Sequence, residues 1–397
     1  MKIYDKIKVG LTDITAIVRD EFRTISGSYA ILLVLMGGIF MYGLLYNYMY
    51  APDVVRKVPV AVVDDSKSEL SRAYIRLLDA TPGVSVFTTG VDYIGAQELM
   101  KKDDVVGILY VPDNFEDRVL SGDESIFIMY ETTSAFLYYM AMEEAASGAM
   151  LALNDKIRPD LLVFLPRQDA AQIVSAQPFE VVGTALYNHT EGYGSYLIPA
   201  VLIVIMFQTL LMVIGMISGE ECHTRSLSRF AHPTFGQALR IVTGKTFVYF
   251  ILYSIFSLFL LGLIPLIFGL PALGNTLYII MLLIPFLLAT SFFGLTASVI
   301  FTDGDAPLLM IAFFSVGLIF LSGVSYPLEL MPWYWKAAHF MIPAAPATLG
   351  YVKLNSMGAS MAQIHTEYLT LCIQTVVYFV TACWAYRYNI RKAVKEK

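Results

Sequence analysis

The chain has 397 residues, 57% hydrophobic and only 15% charged, with a formal net charge of −6. Soluble domains carry roughly 25% charged residues, so the composition excludes a disordered chain, argues against an ordinary soluble protein and offers no bulk basicity for nucleic acid. Three cysteines (Cys222, Cys372 and Cys383) are too few and too scattered for a disulfide framework or a zinc site.

The charge is unevenly placed. Residues 51–192 hold 11 Lys/Arg and 22 Asp/Glu, a balance of −11, while the remaining residues hold 16 and 11, a balance of +5. Two differently charged bodies therefore share one chain.

Residues 1–27 read as an amphipathic helix. Ile3, Ile7, Leu11, Ile14, Val18, Phe22 and Ile25 recur every three or four positions, with Lys, Asp and Arg between them. Such a helix suits the lipid of the inner membrane surface, or the face of a soluble partner. Residues 28–50 then form an uncharged run long enough to span a bilayer, and no cleavable signal precedes it.

Residues 51–192 follow as a separate body. Short apolar runs at 58–63, 84–88, 105–111 and 125–130 alternate with helical patterns at 66–80, 92–102 and 115–120. Near-continuous Val/Ile runs between helical crossovers predict parallel strands in a small α/β domain. Asp65-Ser66-Lys67 after the first strand reads as a helix cap rather than a ligand site. A long helix over about 134–156 is rich in apolar residues, but Glu143 and Glu144 at its centre place it outside the bilayer. Asn188-His-Thr is a sequon that chance supplies easily.

Five further spans are predicted: 193–217, 246–268, 276–301, 307–324 and 368–386. Residues 246–302 carry no charge at all, and Gly269-Leu-Pro271 with Gly274-Asn275 supplies the turn that divides them. The fold class is thus an α-helical polytopic membrane protein of six transmembrane helices with an inserted extracytoplasmic α/β domain. Lys and Arg set the orientation. Residues 1–27, 218–245 and 387–397 hold fourteen of them, against two (Lys336 and Lys353) in 270–275 and 325–367. Both termini are expected in the cytoplasm and residues 51–192 outside.

The 218–245 loop ends in Gly244-Lys245-Thr246, like a phosphate-binding loop. Leu239 stands where that motif needs glycine and no strand precedes it, so nucleotide binding by this chain is not expected. His223 and His232 with Cys222 fit no zinc spacing. The loop mixes acids, bases and apolar residues, as a helix entering a partner's groove would, or as a solvated connector would. The spans carry no ionisable residue, which argues against a secondary transporter or an intramembrane protease; Asp303-Gly-Asp305 reads as a turn. Residues 322–350 are broken by four prolines and carry Trp333, Tyr334 and Trp335, residues suited to the interface. They read as re-entrant or interfacial helices within 325–367.

Several stretches together resemble the permeases of type-2 ABC exporters, in the branch with a large extracytoplasmic domain. They are Val58-Pro-Val-Ala-Val-Val-Asp64-Asp65-Ser66, Val106-Gly-Ile-Leu-Tyr-Val-Pro112 through Phe115, Leu186-Tyr-Asn188 with Pro199, and Ser322-Gly323 with Pro327, Pro332 and Pro343. The 218–245 loop resembles that family's coupling loop through Glu221, Thr224, Pro233 and Gly244-Lys245, although His223 stands where glycine is usual. The resemblance implies a pore of two permease chains, identical or paralogous, in a bacterial inner membrane. It implies no catalytic residue, metal or cofactor on this chain, with ATP and Mg on a separate cytoplasmic ATPase. Glu220, Glu221, Thr224, Arg225, Leu227, Phe230 and Pro233 would meet that ATPase. Gly323, Tyr326, Pro327, Pro332, Trp333, Trp335 and Pro343 would form the outer gate. Relatives also meet a periplasmic adaptor and an outer-membrane channel. An apolar or amphipathic cargo suits the aromatic and aliphatic spans. The competing reading is a non-transporting envelope receptor or scaffold whose outer domain binds a partner.

Overall fold

The computed structural model describes residues 3–51, 53–121, 126–131, 136–164, 192–224, 226–229, 234–300 and 306–395. Asn188 and Asp303-Gly-Asp305 lie outside the described residues. Contacts divide the chain into two compact units, Pro52–Thr184 and the remainder.

The inserted unit is α/β, as its alternating pattern predicts. Its elements are β1 (Val58–Asp64), α3 (Glu69–Asp79), β2 (Val84–Thr89), α4 (Tyr93–Lys101), β3 (Gly107–Val111), α5 (Phe115–Leu120), β4 (Ile128–Glu131) and α6 (Phe136–Phe164). The sheet order is β2-β1-β3-β4. Strand β1 runs parallel to both neighbours, which explains its unbroken apolar run. Val58, Val60 and Val62 pack with Tyr74, Leu78 and the Met142, Ala145, Ala149, Leu153 stripe of α6, while Ala61 and Val63 pack with Ala96 of α4 on the other face.

Two expectations fail here. Strand β4 is antiparallel to β3: α5 rises only about 9 Å over its six residues, too little to carry the chain back along β3. And the cap of α3 is Ser68, whose hydroxyl accepts from the Ser71 amide at 3.0 Å. Asp64 supports it by accepting from the Ser71 hydroxyl at 2.8 Å and the Lys67 amide at 3.0 Å.

The second unit is helical: α1 (Ile3–Gly27), α2 (Tyr29–Met49), α7 (Tyr193–His223), α8 (Phe235–Phe268), α9 (Thr276–Ala297), α10 (Ala306–Leu321), α11 (Trp333–Met341), α12 (Ala344–Met357) and α13 (His365–Lys395). Five of these, α2, α7, α8, α9 and α13, are long and apolar enough to cross a membrane. The sixth expected span, 307–324, corresponds to α10, an apolar helix of which the 16 residues Ala306–Leu321 are described. The expected helix boundaries also move outward. Spans read at 193–217, 246–268 and 368–386 belong to helices that run on into the charged segments beside them.

Helix α7 is apolar all round and lies at the centre, touching α2, α9, α10 and α12. A Cβ on Gly38 of α2 would come within 2.6 Å of the Thr209 methyl, so this crossing needs glycine. Helices α9 and α13 pack along each other, tied by the Thr296 and Thr381 hydroxyls at 2.9 Å and by Thr375 donating to the Pro285 carbonyl at 3.1 Å. Outward-facing positions are apolar too: Leu266, Leu309, Leu258 and Val316 are between 63% and 81% exposed. Soluble monomers do not present such surfaces, whereas a bilayer covers them.

Candidate functional site

The expected 218–245 loop is mostly helix. Helix α7 continues to His223 and α8 begins at Phe235, capped by the Thr234 hydroxyl. Glu220 and Glu221 therefore sit on the last turn of α7, and Leu227 is buried in a short 3₁₀ turn, Ser226–Arg229. Glu220 and Thr224 are exposed. Arg225, Phe230 and Pro233 lie outside the described residues.

Four helices meet beside this connection. Lys245 of α8 is buried and places its Nζ 2.6 Å from Glu21 Oε2 of α1 and 2.9 Å from Glu221 Oε1 of α7. The Tyr249 hydroxyl donates to the other Glu21 oxygen, and the Tyr386 hydroxyl of α13 donates to Glu221 Oε2 at 3.4 Å. The ammonium also lies 5.9 Å from the Tyr386 ring centre. A buried charge is tolerated only when paired and hydrogen-bonded, and here two carboxylates and two phenols surround one ammonium. A cavity of about 290 Å³ opens on the cluster between α1, the end of α7 and the start of α8, with Asp20, Glu220 and Thr224 on its wall. Farther out, Arg240 and Asp13 pair at 2.5 Å with both side chains partly exposed.

Sequence reasoning assigned Glu21 no role and reached Lys245 only as the Gly244-Lys245 end of the loop that resembles a coupling loop. Helix α1 turns Ile17, Glu21 and Ile25 into the core and leaves Phe22, on the apolar face expected to meet lipid or a partner, 56% exposed. The signal lay in the spacing of Ile17, Glu21 and Ile25, where the acid takes a core position. Gly244 acquires a structural meaning as well. A Cβ there would lie 2.9 Å from Ile17 Cγ2, so the glycine lets α1 close onto α8.

The other segment singled out by sequence starts at Ser322. Gly323 takes a left-handed φ of +84°, Pro327 leads a 3₁₀ turn, Leu328–Leu330, Pro332 precedes α11 and Pro343 precedes α12. The expected pair of short helices is present. Trp333, Trp335 and Tyr326 are exposed, whereas α12 is largely buried against α7, α9 and α13. The Tyr196 hydroxyl, near the start of α7, donates to the Val324 carbonyl. Gln374 and Tyr378 of α13 donate to carbonyls at the end of α11, Gln374 at 2.8 Å to Phe340. His339 is buried with Nδ1 2.8 Å from the Leu321 carbonyl.

The charged cluster and this segment thus lie at opposite ends of α7. Tyr196 and Glu221 are separated by about 38 Å of helix, close to the thickness of a bilayer with its headgroups.

No curated protein matches the chain. The profile of a family described as ABC-2 family transporter protein matches residues 29–384, through both units. With its five apolar spans and that match, the chain is a multi-pass membrane transport component and belongs to the ABC-2 transporter family.

Proposed function

We propose that the chain is the permease subunit of an ATP-driven exporter, moving an apolar or amphipathic substrate out of the cytoplasm of a bacterial cell. The observation that carries this reading is the cluster that joins α1, α7, α8 and α13 beside the exposed Glu220 and Thr224. A push on the α7–α8 connection from a bound ATPase would reach four helices through one ammonium. The 224–234 connection is the docking point, and ATP and Mg belong to the ATPase. A second permease chain, identical or paralogous, completes the pore. Both termini and the connection face the cytoplasm, in keeping with the Lys/Arg bias. Residues 51–192 and the 322–357 segment face outward, where Tyr326, Trp333 and Trp335 suit a gate at the interface. A periplasmic adaptor and an outer-membrane channel are the partners that this placement brings within reach.

Co-purification tests the reading. The chain should retain an ATPase, and Glu220→Lys should weaken that complex while the permease still elutes as a folded species. A chain that purifies without an ATPase and exports nothing would overturn it.

A further inference from the structure

Helix α1 is charged differently on its two sides. Asp20 and Glu21 face the cavity shared with Glu220 and Glu221. Arg19 and Arg23 face away from it, on the rim of a separate groove of about 640 Å³ between α1 and α8, walled by Val18, Phe22 and Phe247. Both arginines are exposed, and neither guanidinium has an ion-pair partner among the described residues. They stand four positions apart, one helical turn, so two guanidinium groups present the same face.

The groove also lies at a defined level of the fold. Arg23 precedes the first span, Tyr29–Met49, by less than two turns. The other wall is formed by Thr243 and Phe247 of α8, and Phe247 belongs to the uncharged run 246–302. Above the groove, Phe247, Ile251, Ile255 and Leu258 form one exposed apolar ridge along α8, between 44% and 73% exposed. A cationic mouth therefore opens onto a continuous apolar track, at the depth where headgroups give way to hydrocarbon.

We propose that this groove is a binding site for one anionic phospholipid. Arg19 and Arg23 hold the phosphate, for which planar guanidinium donors are suited, and an acyl chain lies over Phe22 and Phe247 and along the α8 ridge. Basic pockets between helices at the cytoplasmic level recognise acidic lipids in this way. The lipid would pin α1 from its basic side while the Glu21–Lys245 pair pins it from the acidic side. The inference rests on residence in a membrane, and on neither the ATPase nor the direction of transport.

The test uses the full chain, reconstituted in nanodiscs of phosphatidylcholine doped with phosphatidylglycerol, extracted in mild detergent and examined by native mass spectrometry. Phosphatidylglycerol should stay bound in preference to phosphatidylcholine. Arg19→Gln and Arg23→Gln should each lower that preference about fivefold, Arg19→Lys with Arg23→Lys should retain most of it, and Phe247→Asp should abolish retention. Monodisperse elution of each variant shows that it has folded. Equal retention by wild type and the Arg19→Gln/Arg23→Gln variant would overturn the site. So would displacement by glycerol phosphate as effective as by whole lipid, because the acyl track would then be idle. A disulfide forming between two copies through Phe22→Cys would also overturn it, by showing that a second chain fills the groove.

Discussion

Glu21 and Lys245 stand 224 positions apart and meet at 2.6 Å, both buried. The pair is the point where the N-terminal helix enters the core. Removing the ammonium strands two carboxylates, Glu21 and Glu221, without a counter-charge. Breaking a buried pair from one side costs about 3–5 kcal/mol. Lys245→Met should therefore lower the thermal midpoint of the detergent-solubilised protein sharply. Glu21→Gln should cost less, because Glu221 still holds the ammonium at 2.9 Å. Combining Lys245→Met with Glu21→Leu should restore part of the loss. A double variant as unstable as the sum of its parts would show that the two residues are not coupled.

Gly244 tests the same junction by volume. Its hydrogen faces Ile17, and an added Cβ would come within 2.9 Å of Cγ2 and 3.2 Å of Cβ. Neither atom is the free end of a long side chain, so α1 must move. Gly244→Val should destabilise by about 1–3 kcal/mol, the usual range for overpacking. Ile17→Ala in the same chain should recover most of that. The comparison is read from thermal unfolding of the two single variants and the pair.

How far sequence carried the fold can be seen at these residues. The uncharged runs announced the apolar helices because a bilayer leaves no other choice of composition. The Val-rich β1 announced a strand buried on both faces. The strand β4 misled, because pairing direction depends on the length of α5 against the strand and not on composition. Lys245 misled for a different reason. A charge next to a span was taken as the edge of a loop, yet the helix continues through it and its counter-ions come from distant positions, Glu21 and Glu221. The spacing of Ile17, Glu21 and Ile25 marks the acid as a core position, but no local pattern names Lys245 as its partner. Glu221 and Leu227 were found through their resemblance to a coupling loop, and their neighbours in space were not.

The cysteines offer a direct probe of the α7–α8 connection. Cys222 is exposed on the last turn of α7, Cys372 is partly covered and Cys383 is buried in the core. A maleimide should label Cys222 first in the purified protein, and Cys383 only on unfolding. If an ATPase docks at residues 224–234, its presence should slow labelling of Cys222 by tenfold or more, on the order of the protection a buried contact gives. Labelling at an unchanged rate in an intact complex would place the ATPase elsewhere.

His339 ties the short helix α11 to the end of α10. The Leu321 carbonyl can only accept, so the hydrogen at 2.8 Å is on Nδ1. Burial pushes its pKa below the ordinary 6.5, partly offset by the bond to Leu321 and by Glu367, while Lys353 adds to the lowering. In the unfolded chain the ring takes a proton near 6.5, whereas in the folded chain it resists until the pH is lower still. Between those two values the unfolded state holds more protons, so stability falls as pH falls. Above 6.5 the group contributes no slope. Unfolding midpoints measured from about pH 7.5 to about pH 5 should decline in the wild type. His339→Asn, which keeps a donor for Leu321, should remove at most about 1.4 kcal/mol per pH unit of that slope and leave the midpoint above pH 7 nearly unchanged. A variant with the wild-type slope would mean that another histidine carries the acid sensitivity.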